Sequence, residues 1–398
     1  MILYKQDEFY LMNKDEIVLK FYSVEVGDKQ LFNIDVQSIR KLPPKFKDIT
    51  SFLESRTIIT HRAELLESLR ELGIRTRFDL LLMNYGISLV DTLWIKRCTD
   101  GMSWKVVSPY TKERIFSMSW FLNDSKLNLK EFRECRPEYS TNGNFPKCWM
   151  TRDTEHILVK CGSSGAYNSG LEPFSEVYAM QVEDALDFKN HRVEYRLISL
   201  DYSAYKSNYK LGKLLRTTID TEVSSSIRFA TECTAFTSEK IGFVSAGELG
   251  LNSYEEIVEY AKKLGKEEKI AKQLLLDCCI VNTDRHLGNI GFLYDNDTFE
   301  IIDVAPVFDN NISLLCYWVE QLDGEAMDYV ATCTSKIGMT FEELGKYGMS
   351  YVPALVSELR NISKYFEFQT VGNINFKRER LDALSDVVRK QAEILWML

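Results

Sequence analysis

The stretch LLLDCCIVNTDRHLGNIGFLYDNDTFEIIDVAPVFDNN, from Leu274 to Asn311, limits this chain more than any other. Asp284, His286, Asn289, Asp303 and Asp309 are interleaved there with the Val, Ile, Leu and Phe of a core. Polar groups in such company are costly to bury unless each bonds to something. The segment must therefore either brace itself or hold a polar ligand.

Asp284 and Asn289 are spaced D-x-x-x-x-N, just after the helical run KIAKQLLLDCCIV. Beyond them IGFLY and FEIID read as two strands joined by the turn residues DND, which brings Asp309 back beside Asn289. Phosphoryl transfer needs a carboxylate near the acceptor hydroxyl and oxygen ligands for Mg²⁺ on the ATP phosphates. Protein-kinase catalytic loops place an Asp and an Asn at this separation and follow them with a further Asp. The plainer alternatives are a helix-end cap for Asp284 and a turn residue for Asn289.

NTDRHLGNIGFL and IIDVAPVFDNNISLL together resemble the HipA-like serine/threonine kinases, a protein-kinase-fold family akin to phosphatidylinositol 3/4-kinases. The resemblance covers roughly residues 137–398. It implies ATP and Mg²⁺ as cofactors, Asp284 as the base or hydroxyl-orienting carboxylate, and Asn289 and Asp309 as magnesium ligands. His286, absent at that place in ordinary protein kinases, is expected to brace the loop, and Asp303 to brace a turn or loop. The family usually carries a Gly soon after the metal-binding Asp. Here Asn310 and Asn311 follow, and Asn tolerates the left-handed backbone such a turn needs.

A kinase also needs a cation over the phosphates, held by a carboxylate on a nearby helix. HILVK is an apolar strand ending in Lys160, and EPFSEVYAM, read as a helix entered through Pro173, offers Glu176. A surface ion pair is the alternative for these two. Two loops could fold over phosphates: STNGNFPKCW, read as a turn-rich hairpin with Gly143, and the more glycine-rich CGSSGAYNSG. Chain order favours the first, because it precedes the Lys strand, with a plain β-turn as the alternative. Ser140 and Thr141 lie where a regulatory phosphate would eject that loop. TECTAFTSEKIGFVS is the candidate joining segment whose backbone at Thr234 to Phe236 would read adenine.

The expected fold is α+β: a bilobal, protein-kinase-like body with a β-rich small lobe (137–240), a helical large lobe (241–398) and an additional N-terminal α/β region (1–136). In that first region EIVLKFYSVEV and QLFNIDV alternate as strands. A helical pattern follows from Asp48 to Gly73 with Leu65, Leu66, Leu69 and Leu72 on one face, and another helix stops at Gly86.

The net charge of −9 gives no general reason to expect direct nucleic-acid binding. Nine cysteines without metal spacing read as reduced thiols of a cytoplasmic protein, and neither a secretory signal nor a bilayer-spanning run is present. The first expectation is transfer of the ATP γ-phosphate to Ser or Thr of a protein substrate, with autophosphorylation included. The resemblance adds a toxin-like growth regulator with an antitoxin or regulatory partner, although no helix-turn-helix here supplies an antitoxin. The rivals are a lipid or small-molecule kinase and a non-catalytic nucleotide-binding regulator.

Overall fold

The alternation near the N-terminus builds an antiparallel sheet. In this computed structural model, which describes residues 6–26, 29–56, 74, 76–116, 136–141, 143, 145–163, 170–188, 190–204, 213–220, 222–318, 324–372, 374 and 376–397, β1 (Gln6–Asn13), β2 (Glu16–Val26) and β3 (Lys29–Asp35) follow one another. β4 (Leu93–Arg97) returns to β1, giving the order β3-β2-β1-β4. Register sets Phe9 opposite both Phe21 and Arg97. Because side chains alternate faces along a strand, Phe9, Leu11, Leu19, Phe21, Leu93 and Ile95 share one buried layer with Phe52 and Leu81. Those last two come from α1 (Ile49–Ser55) and α2 (Arg77–Met83). Met12 and Trp94, of opposite parity, pack instead with Trp104 and Val107 of α3 (Trp104–Val107).

The helix expected from Asp48 begins there: the Asp48 carboxylate accepts from the Ser51 N–H at 2.8 Å, as an N-cap does. Its continuation, with Leu65, Leu66, Leu69 and Leu72, lies outside the described residues. α2 ends as expected, with Tyr85 and Gly86 both left-handed.

β5 (Lys147–Arg152), β6 (Glu155–Cys161), β7 (Arg196–Asp201) and β8 (Ile227–Thr234) form a second sheet in the order β5-β6-β8-β7. α4 (Glu172–Ala185) and α5 (Lys213–Thr218) fall between its strands in sequence. The hairpin placed around Gly143 is corrected: the chain turns at Asp153 and Thr154, whose consecutive positive φ values of 48° and 72° suit a two-residue connection. Gly143 lies earlier, between a 3₁₀ turn (Pro137–Ser140) and β5.

A third sheet, β11-β10-β9, comprises β9 (Ile241–Ser245), β10 (Gly291–Asp295) and β11 (Ile301–Val304), the last two being the expected hairpin. α6 (Tyr254–Lys263) and α7 (Glu267–Ile280) precede that hairpin. α8 (Gly324–Thr332), α9 (Phe341–Met349), α10 (Val356–Tyr365) and α11 (Arg378–Met397) follow it. From Gln273 onward α7 is buried on every side, with Leu274, Leu275, Cys278 and Cys279 fully so. The described residues are thus mixed α+β with antiparallel sheets. Among them no helix is long and apolar enough to cross a membrane, and their eight cysteines are free thiols.

Two compact units emerge. The first is Met1–Leu158, Ala235–Val244 and Phe292–Ile302; the second is Val159–Thr234, Ser245–Gly291 and Asp303–Leu398. These limits differ from the sequence boundaries at 136 and 240.

Candidate functional site

The second unit gathers the polar residues of the opening motif. β6 presents Lys160 and α4 presents Glu176, and the Lys160 ammonium bonds the Glu176 carboxylate while lying 2.6 Å from Asp309 Oδ1. Glu176 is wholly buried, Lys160 nearly so, and the Asp309 side chain keeps 31% of its surface. Burial alone would pull the Lys160 pKa down, but the charges of Asp309 and Glu176 outweigh it and push it up, so the ammonium is firmly charged. Burial raises the Glu176 carboxyl against the opposing pull of Lys160. Tyr195 backs the pair: its ring centroid is 5.9 Å from the ammonium, and its hydroxyl accepts from the Asp309 N–H at 3.0 Å.

The loop carrying Asp284 leaves α7 through Val281, a β-branched residue held left-handed at φ 52°. Asn282 then turns the chain, its side chain accepting from the Asp284 N–H at 3.1 Å. His286 braces the loop as expected: Nδ1 accepts from the Gly288 N–H at 3.0 Å. A Cβ on Gly288 would stand 2.8 Å from that imidazole, so the close approach requires glycine. The Asp284 carboxylate faces the Lys336 ammonium at 3.2 Å.

Asn289 is buried, and its side-chain Nδ2 has no hydrogen-bond partner. A buried amide is normally satisfied, and a half-turn about its terminal bond would present oxygen at the same point. That orphaned position fits an oxygen-seeking cation. Among the described residues no cluster of three His, Cys, Asp or Glu side chains could hold a metal on its own. Mg²⁺ commonly takes only one or two protein ligands, with phosphate and water completing the shell.

Sequence reasoning missed the residues that lock these parts together. Arg285 is fully buried and forks onto Asp277 of α7 at 2.9–3.1 Å; it also donates to the Phe308 carbonyl at 2.6 Å and the Asn289 carbonyl at 3.4 Å. Asn310, 1% exposed, is the second hub. Its N–H donates to Glu176 Oε2 at 3.0 Å, its Nδ2 donates to Glu183 Oε1 at 2.9 Å, and its Oδ1 accepts from Arg285. An aspartate inside the apolar run LLLDCCIV was the legible signal for Asp277, because a buried carboxylate demands a partner. Asn310 carries no such signal, since an asparagine just after an aspartate equally suits a solvent-facing turn. The left-handed residue expected at Asn310 or Asn311 is Asp309 itself, at φ 60°. The physical reason is that both Asn310 N–H and side chain are committed to α4, which puts the reversal one residue earlier.

Asp303 braces, as expected, but from within β11: it takes both oxygens to Lys269 of α7 at 2.7 and 2.8 Å. Thr234 ends β8, exposed, in the second unit. Phe236 belongs to the first unit, its ring 5.6 Å from that of Phe243. Gly143 also lies in the first unit, and its φ of 94° is a left-handed backbone that favours glycine. Ser140 and Thr141 are engaged: Ser140 Oγ donates to the Ile87 carbonyl at 2.6 Å, and Thr141 Oγ1 donates to the Pro137 carbonyl at 2.7 Å.

No family model matches the chain, and no curated protein does. Among solved structures it is similar to the crystal structure of a Helicobacter pylori proinflammatory kinase, CtkA, at 13% identity and a TM-score of 0.38, over 63% of this chain and 93% of that one.

Proposed function

We propose that this chain is an ATP- and Mg²⁺-dependent phosphotransferase of the HipA-like, bilobal kinase kind, acting on Ser or Thr of a protein. One observation carries the reading: a firmly charged lysine is held between a buried helical glutamate and Asp309. The loop bearing Asp284 and Asn289 is tied to the same Asp309 segment through Arg285. A structural ion pair has no need of a second, partly exposed carboxylate, nor of a neighbouring buried amide left without a partner.

In this reading Lys160 neutralises negative charge on the phosphates, and Glu176 fixes its direction. Asp284, a quarter exposed, orients the acceptor hydroxyl and receives its proton. Asn289 and Asp309 would hold Mg²⁺, whose contribution when bound is to offset charge on the β- and γ-oxygens. Gly143 would bring backbone close to phosphate, and Thr234 to Phe236 would meet adenine.

The test is incubation of the full chain with γ-labelled ATP and a cell lysate, for wild type and Asp309→Asn. Label entering a protein band with wild type and lost with the variant supports the proposal. Tight ATP binding with no transfer would turn the reading to a nucleotide-binding regulator, and label in a lipid or metabolite to a different acceptor.

A further inference from the structure

Beside Asp284 the second unit contains a cavity of about 220 Å³, walled by Val281, Thr283, Leu315, Tyr317, Trp318 and Tyr329. It is continuous with the catalytic loop, since Thr283 is the chain neighbour of Asp284. Trp318 and Tyr329 pack ring to ring at 5.3 Å, and Tyr317 is fixed by its hydroxyl donating to Glu172 at 2.8 Å. Tyr317 and Tyr329 are each 41% exposed, a large aromatic surface to leave in water. The one serine in the wall, Ser313, has its hydroxyl already spent on the Asn310 carbonyl at 2.7 Å, which leaves the lining mainly apolar.

The backbone around this cavity is strained. Leu314 and Leu315 are consecutive left-handed residues at φ 52° and 51°, and Val281 is a third. Each such non-glycine position is costly and persists only where the surroundings enforce it, as they tend to at functional sites. Here the Leu314 N–H donates to the Ile280 carbonyl at 2.7 Å, tying the strained pair to the end of α7.

We infer that this cavity is the subsite for one large apolar side chain of a protein acceptor, carried within a few residues of the Ser or Thr presented to Asp284. The inference rests on the proposed phosphotransfer and adds the class of acceptor. Size decides against a whole small molecule: sites for those run to roughly 300–1,000 Å³, whereas this one suits a single aromatic or branched aliphatic group. Its place beside Asp284 assigns it to the acceptor.

The test is a peptide library with one fixed Ser or Thr, scanned position by position with the full chain and γ-labelled ATP. Wild type should favour Phe, Leu or Ile over Gly at one position by roughly 10- to 200-fold, the discrimination an apolar pocket supplies. Tyr329→Ala and Trp318→Ala should bring that ratio toward one, while Tyr365→Ala, on the exposed face of α10, should leave it intact. Should both cavity variants fail to fold, wild type supplies a second reading: N-acetylphenylalanine amide should inhibit competitively with peptide and not with ATP. A flat wild-type profile, or a ratio unmoved in both folded variants, overturns the subsite and leaves the phosphotransferase standing. ATP turnover with label passing only to a lipid or small molecule also overturns the subsite alone. No ATP turnover at all overturns both.

Discussion

The carboxylate of Asp309 stands 2.6 Å from the ammonium of Lys160, although 149 residues separate them in the chain. Two carboxylates therefore share one cation, and the consequences of removing it differ for folding and for chemistry. Lys160→Ala leaves Glu176 buried without its counter-charge, a change that typically costs about 3–5 kcal/mol. Lys160→Met with Glu176→Gln removes both charges and should recover much of that stability. Phosphate transfer should fall by on the order of 10²- to 10³-fold in both proteins. Thermal melts and single-turnover rates check this, and a double variant that transfers phosphate at the wild-type rate would defeat the role assigned to Lys160.

Asn310 joins three elements through one small side chain. Asn310→Ala strips Arg285 of an acceptor and Glu183 of a donor, both buried, and each unsatisfied group costs about 1–3 kcal/mol. Asn310→Asp keeps the acceptor for Arg285 but buries a new negative charge beside Glu176. It should be the more destabilising of the two despite its closer shape. Chemical denaturation of both variants tests the order, and Asn310→Asp proving the more stable would show that Arg285 alone governs this position.

Much of this centre was legible because its parts obey local rules. Lys160 ends an apolar strand, Glu176 follows Pro173 into a helix, and a hairpin returns Asp309, all short-range patterns that survive in one sequence. The locking residues were harder to read. Arg285 and Asn310 look like ordinary loop residues until burial is known, and burial is set by contacts far along the chain. The turn at Asp153 and Thr154 was hidden for a simpler reason: glycine is the usual sequence mark of a left-handed turn, and here two non-glycine residues take that backbone.

Lys336 reaches Asp284 at 3.2 Å from a tight turn closed by the Thr334–Thr340 bridge and by the Ser335 N–H donating to the Met339 carbonyl at 2.8 Å. Its side chain is 60% exposed, so the pair adds at most about 1 kcal/mol to stability. The charge still lies beside Asp284, where the proposed acceptor would arrive. Lys336→Glu should melt within a few degrees of wild type yet slow transfer by roughly tenfold, and high salt should narrow the gap because exposed charges are screened. Rates at 50 and 500 mM salt, chosen to span about 14 Å to 4 Å of screening length, measure it. A deficit that salt leaves unchanged would rule out an electrostatic origin.

Glu183 makes the stability of the site region depend on pH. Burial pushes its carboxyl up to about 8, against the pull of Arg192 and the bond from Asn310, with Glu176 adding to the rise. In the unfolded chain the same group titrates near 4.5. Below 4.5 both states hold the proton and Glu183 imposes no slope. Between 4.5 and 8 the unfolded chain releases it while the fold retains it, so stability falls as pH rises; above 8 the fold releases it too and the slope ends. His191, buried and lowered to about 4, acts oppositely, adding stability as pH rises from 4 toward 6.5. Comparison with Glu183→Gln cancels the histidine, since only the carboxyl differs. The variant keeps an oxygen for Asn310 and never ionises. Its melting temperature should therefore gain on wild type steadily from pH 5 to pH 8 and hold a constant lead above that. Parallel curves across pH 5–9 would mean that Glu183 is already ionised in the fold, with Arg192, 3.8 Å away, as its counter-ion.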